Sequence, residues 1–270
     1  MTRSLHERAL PPWRPLPSEA GSEEWRTATC ERGYLICTVQ RSGSTRLCEL
    51  MRSTRAAGWP AEYFVRWNGP DDYRGRFGGS DEEFFRWALW QASTENGTYG
   101  IKVMGNQIEL VLRRLALIVD LADAPMREVV EAWLPGVRFI RLRRENQVRQ
   151  AISLYRQHAT GVSHLRGDEQ APATPAFSYY GIRQCLDFVR YSEAVWDRFF
   201  AEKPPDLDLE FQEVIDQGPR AAEEICALVG VDVGVNDARS FLRPLADATT
   251  DRWEREFRRQ RKLLNALKPR

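Results

Sequence analysis

The chain has little of what usually announces a metal, a disulfide framework or a membrane. Its three histidines, His6, His158 and His164, stand at no ligand spacing, and its five cysteines are an odd number without a CxxC. That argues against both a disulfide scaffold and a cysteine–histidine zinc site. No apolar run approaches the ~18 residues needed to span a bilayer, and residues 1–28 hold no signal-like apolar core. Charge of one sign is also missing: 39 Lys and Arg face 38 Asp and Glu, so bulk charge draws neither nucleic acid nor membrane. Internal repeats and low-complexity tracts are absent too. The expectation is a reduced, soluble, cytoplasmic protein without a resident metal. Any anion it binds must be held by local arrangement.

What is present is apolar substance in a regular order. With 43% hydrophobic residues in 270, one continuous core is within reach. Residues 1–29 read as an extended arm, proline-rich and polar, with Trp13 and Trp25 as anchors, and 30–270 as a single domain. Short runs rich in β-formers at 34–39 (YLICTV), 99–104 (YGIKVM), 137–142 (VRFIRL) and 207–211 read as strands covered on both faces. Helical periodicity falls between them, at 46–55, 81–91, after Asn106 as cap, 146–158, 177–202, 219–229 and 251–267. Residues 68–80 read as a surface loop, and 160–175 as a polar loop forming a lid or binding wall. The run LALIVD at 115–120 imitates a metal-binding strand, but its apolar residues recur at helical spacing, so Asp120 is expected on a helix. Strands alternating with helices imply a central parallel sheet flanked by helices on both faces, an α/β fold.

The first strand runs into Gln40-Arg41-Ser42-Gly43-Ser44-Thr45 and then a helix. A helix N-terminus favours an anion through its free N–H groups and its dipole. Gly43 permits close backbone approach, Ser42, Ser44 and Thr45 offer hydroxyls, and Arg41 adds charge and a fork of donors. This is a phosphate cradle by composition. A Walker motif it is not, since the second glycine and the Gly-Lys-Ser/Thr ending are missing. The plain alternative is a tight turn capped by Ser44.

Residues 38–64, TVQRSGSTRLCELMRSTRAAGWPAEYF, resemble the bacterial Stf0-type sulfotransferases, which carry a QRSGST loop followed by a G-x-P-x-E-F/Y-F segment. YGIKVMGNQ at 99–107 and RRENQVRQAISLYR at 143–156 extend the likeness in the same order. The resemblance implies a P-loop-like sulfotransferase fold that moves a sulfuryl group from PAPS (3′-phosphoadenosine-5′-phosphosulfate) to a small-molecule hydroxyl, releasing PAP. It implies that residues 41–45 grip the phosphosulfate, with Arg41 also meeting charge on the leaving oxygen. It assigns the 3′-phosphate to Arg144 and Ser153, though the neighbouring Arg143 is an alternative to Arg144. Glu62 matches the family's proposed general base, with His158 and His164 as substitutes. A homodimer is compatible with the family.

Two departures stand out. Trp59 replaces a second acid of the trehalose enzyme near the acceptor, which suggests a flatter or more apolar acceptor. Pro244 and Leu245 replace an Arg and a Gln before Trp253, leaving Thr249, Thr250 and Arg252 as substitute donor contacts. Competing classes are a phosphotransferase-like nucleotide enzyme, which would need a Walker lysine and metal carboxylates, and a non-catalytic nucleotide-binding protein.

Overall fold

A computed structural model describes Trp25 and residues 29–64, 80–233, 240, 242, 243 and 247–266. At its centre are four parallel strands in the order β2-β1-β3-β5. These are β1 (Arg32–Thr38), β2 (Thr98–Met104), β3 (Val137–Arg143) and β5 (Leu207–Glu210). Each coincides with a run expected to be a strand, within one or two residues. The apolar runs have two faces because both are covered. Tyr34, Ile36, Ile140, Leu142 and Leu209 face one cluster, packed by α1 (Ser44–Ser53), α7 (Phe211–Asp216) and α8 (Gly218–Leu228). Leu35, Cys37, Ile101, Val103 and Phe139 face the other. There lie α2 (Asp81–Gln91), α3 (Gly105–Ile118), α4 (Met126–Trp133), α5 (Gln147–Thr160), α6 (Tyr179–Phe199) and α9 (Ala248–Ala266).

The chain leaves β1 toward β2 on one side, then crosses to β3 on the other. The strand order therefore reverses between β1 and β3, and in open α/β sheets ligands bind at such a point, beyond the carboxyl ends of the strands. Thr38, at the end of β1, stands opposite Met104 on one side and Leu142 on the other. Its carbonyl accepts the indole N–H of fully buried Trp196 at 2.7 Å, which fixes α6 to the end of β1.

Several local expectations need correction. Asp120 is not helical: α3 stops at Ile118, and Asp120 occupies a left-handed turn with φ 56°. Asn106 does not cap α3, which starts one residue earlier at Gly105 with no side-chain cap; a side chain at 105 would run into the Ser192 carbonyl, 2.2 Å from the added carbon. Helices α4 and α7 were not anticipated. Asn146, by contrast, does cap α5, accepting from the Arg149 N–H at 3.1 Å. The 160–175 loop contains β4 (Leu165–Arg166), paired antiparallel with β6 (Leu242–Arg243). Trp25 is buried in the core, while Trp13, the rest of the arm before residue 29, most of the 68–80 loop and residues 244–246 lie outside the described residues. No described helix is long and apolar enough to cross a membrane.

Candidate active site

A cavity of about 740 Å³ opens at the switch point, lined from the ends of β1, β2 and β3, the start of α1, one face of α5 and the 160–175 loop. That size suits a nucleotide with a small second ligand beside it. Its floor is the loop after β1. Arg41 and Gly43 both take positive φ, 65° and 87°, so the loop folds back on itself ahead of α1. A side chain at 43 would also press on the Phe211 ring, 2.9 Å away, so glycine is required twice over. Helix α1 has no side-chain cap and no acid in its first turn, and Gly43, Ser44 and Thr45 line the cavity. Its positive end is left uncompensated by the protein.

Ser42 behaves differently from its neighbours. Its hydroxyl is fully buried, 2.5 Å from Thr38 Oγ1, and Thr38 spends its own proton on the Leu142 carbonyl at 2.8 Å. Ser42 is therefore the donor in that pair and pins the loop to the junction of β1 and β3. It does not line the cavity.

Arg41 reaches across the floor, its Nε donating to Ser153 Oγ of α5 at 3.0 Å. The loop and the expected 3′-phosphate residues are thus one continuous surface. Arg144 donates from Nη1 to the Arg41 carbonyl at 3.2 Å and lies over the Phe211 ring, 4.0 Å from its centroid. Among the described residues neither arginine forms an ion pair. Burial pushes the Arg41 guanidinium down to about 10. Arg144 is also pushed down to about 10, by burial first and then by the charges of Arg149 and Arg41. Both remain cations at neutral pH. Arg143 points elsewhere: half exposed, it pairs with Asp208 on β5 at 2.9 Å and does not reach the cavity. The strand pleat, which alternates faces, separates the two neighbours.

Three further arginines line the cavity, Arg46 of α1, whose Nε donates to the Val214 carbonyl at 3.3 Å, and Arg149 and Arg156 of α5. Arg149 meets Asp251 at 2.7 Å and Glu254 at 3.1 Å. Arg156 meets Asp247 at 2.9 Å and donates to Thr250 Oγ1 at 3.0 Å. Thr250 lines the cavity, whereas Thr249 and Arg252 do not. Among the described residues the cavity is lined by one carboxylate, Glu62. Its Oε1 is 2.8 Å from Nζ of Lys102, a buried lysine on β2. A lysine inside the apolar run YGIKVM was the available signal, and it went unread.

His164 lines the cavity; His158 does not, its Nδ1 lying 4.0 Å from Cys185 Sγ. Trp59 is half-buried and is not a lining residue, so the change from an acid puts no indole into the cavity wall. No group of three or more His, Cys, Asp or Glu able to hold a metal occurs among the described residues.

A parallel α/β sheet whose switch point carries an uncapped helix end and two arginines without an ion pair among the described residues is an arrangement able to hold an anion. Residues 33–260 match the Stf0 sulphotransferase family, and the chain belongs to it. It is a sulfotransferase. The trehalose 2-sulfotransferase of Mycobacterium tuberculosis (strain ATCC 35801 / TMC 107 / Erdman) is 25% identical over 253 residues, spanning 84% of this chain and 94% of that one. That of Mycolicibacterium smegmatis (strain ATCC 700084 / mc(2)155) is 26% identical over 258 residues, with the same coverage. A sulfotransferase domain from the Synechococcus PCC 7002 olefin synthase superposes loosely, with a TM-score of 0.41 at 12% identity over 85% of this chain and 88% of that one.

Proposed function

We propose that the cavity binds PAPS and that the enzyme passes its sulfuryl group to a hydroxyl of a small molecule, with Glu62 taking the hydroxyl's proton. One observation carries the donor reading: two largely buried arginines, Arg41 and Arg144, share a cavity and form no ion pair among the described residues. Cations held out of water without a counter-charge are costly unless a ligand supplies one. PAPS brings negative charge at both ends, matching the loop with the α1 N-terminus at one end and Arg144 with Ser153 at the other.

In this reading the acceptor oxygen forms its bond to sulfur as the bond from sulfur to the 5′-phosphate oxygen breaks. The leaving electron pair stays on PAP, where Arg41 and the N–H groups at 43–45 meet the added charge. The proton passes to the Glu62 carboxylate. Both curated relatives are named for a sugar acceptor, which supports a small hydroxyl compound such as a sugar, glycoside or other metabolite here. The 160–175 wall, through Val162, Ser163, His164, Pro172, Ala173 and Pro175, offers apolar contact with a few polar groups on the remaining side.

Calorimetric titration with PAP and with AMP tests the donor reading. The 3′-phosphate should add about 1.5–3 kcal/mol, on the order of 10- to 100-fold in affinity. Equal binding of the two nucleotides removes the case for the Arg144–Ser153 subsite.

A further inference from the structure

The segment that carries Glu62 is fastened at three consecutive residues. Arg52 of α1 donates to the Pro60 carbonyl from Nε at 2.8 Å, and again from Nη2. The Lys102 N–H donates to the Ala61 carbonyl at 3.0 Å. Lys102 Nζ then takes Glu62 Oε1. The segment can lie this close because Gly58, at φ 78°, turns directly against β2, where an added side chain would meet the Gly100 nitrogen at 2.4 Å. β2 is an edge strand of the sheet, so its outward backbone groups need partners, and this segment supplies one.

Lys102 sits in a strand whose seven residues are all buried. Its side chain is 6% exposed, against 29% for Glu62, and only Glu62 of the two lines the cavity. Stability does not account for a charge in this position. Replacing a buried ion pair by apolar residues of similar volume is often neutral or stabilising. What the lysine does provide is a fixed direction: it occupies Oε1 and leaves Oε2 as the oxygen without a hydrogen-bond partner among the described residues. We infer that Lys102 is a positioning residue, holding Glu62 aimed so that Oε2 receives the acceptor's proton. The inference rests on the reading of Glu62 as the base.

A double-mutant cycle tests it, with kcat, donor KM and PAP affinity measured for Lys102→Met, Lys102→Arg, Glu62→Gln and the Lys102→Met/Glu62→Gln pair. Lys102→Met should lower kcat about 10- to 100-fold, the scale of a misplaced catalytic group. Donor KM and PAP affinity should stay within about twofold, and Lys102→Arg should recover part of the rate. Because Lys102 acts through Glu62, the double variant should be no slower than Glu62→Gln alone. Should the methionine variant melt early, Lys102→Gln, which keeps a donor without the charge, takes its place in the cycle. Unchanged kcat in Lys102→Met, or losses that multiply in the double variant, overturn the positioning role while leaving the sulfotransferase reading intact. A Glu62→Gln enzyme that turns over at wild-type speed sinks the base assignment, and Lys102's role falls with it.

Discussion

Five arginines line one cavity; Arg46 of α1 donates to the Val214 carbonyl, and the other four divide into two pairs with opposite circumstances. Arg149 and Arg156 are answered by carboxylates of α9 and the residue before it. Arg41 and Arg144 are answered by a hydroxyl, a carbonyl and an aromatic face, none of which carries a charge. The same residue type thus does two jobs a few ångströms apart. Where the protein provides the anion, an arginine is a clamp that seats a helix. Where it withholds the anion, an arginine is left able to bind one, which is the role proposed for Arg41 and Arg144. The lesson is that a cluster of cations should be read by its partners before its count.

The largest effect should come from the carboxylate facing these cations. Glu62→Gln is expected to cut turnover about 10²–10⁴-fold, the usual span for loss of a general base. PAP affinity should be kept, since Glu62 pairs with Lys102 and with none of the lining arginines. Loss of nucleotide binding in that variant would mean Glu62 belongs to the donor floor, and the division between cation and base sides would fail.

Next in size is a contrast between adjacent residues. Arg144→Ala should weaken PAP binding by about 2–4 kcal/mol, the cost of unpairing a desolvated charge contact. Arg143→Ala, which loses a half-exposed pair with Asp208, should change it by about 0–1 kcal/mol. Reversal of the two values by titration would put the wrong neighbour in the site. Arg41→Ala should act mainly on turnover, because its charge meets the leaving oxygen as charge builds there.

The clamp pair predicts smaller effects, on stability. Burial pushes the Asp247 and Glu254 carboxyls up, but hydrogen bonds outweigh it, from Arg156 and Thr250 to Asp247 and from Asn146, Arg258 and Arg149 to Glu254. Both end below the usual carboxylate range. A carboxyl lowered by folding stabilises the fold above its unfolded value and loses that contribution as pH falls through the folded one. The melting temperature should therefore drop as pH falls below about 4. Arg156→Ala should weaken this acid response, with a cost near neutral pH of about 1 kcal/mol, since Asp247 is half exposed. An unchanged melting profile in that variant would show that α9 is seated by its apolar face alone, through Trp253 and Phe257. Smallest of all is the expected effect of a chelator on turnover, which is none; abolition reversed by magnesium would favour phosphotransferase-like chemistry.

The four sheet strands were legible because strands buried on both faces leave unbroken apolar runs. The cradle was legible because glycine, hydroxyls and arginine fall between a strand and a helix. Other features were set by contacts distant in sequence. Helix α4 has eight residues and buries only Val129 and Val130, too little for a periodic signal. The need for glycine at 105 is set by Ser192 on α6, and the fate of the Ser42 hydroxyl by Thr38. Lys102 is a single charge in an apolar strand, and its partner lies 40 positions earlier. Whether Arg143 or Arg144 turns inward depended on the pleat at the strand's end, which neighbouring arginines cannot declare.

The way the two sides of the cavity are mounted bears on how such an enzyme diversifies. The proposed donor floor and base are tied to the sheet, through Ser42 at the junction of β1 and β3 and through the β2 edge at residues 61 and 62. The opposite wall, residues 162–175, hangs on a loop tied by the two-residue pairing of β4 with β6. Sequence drift or recombination in that loop can therefore alter which hydroxyl compound is admitted while leaving the transfer apparatus in place. Grafting residues 161–176 from a relative of known acceptor should move acceptor preference and leave PAP affinity where it was.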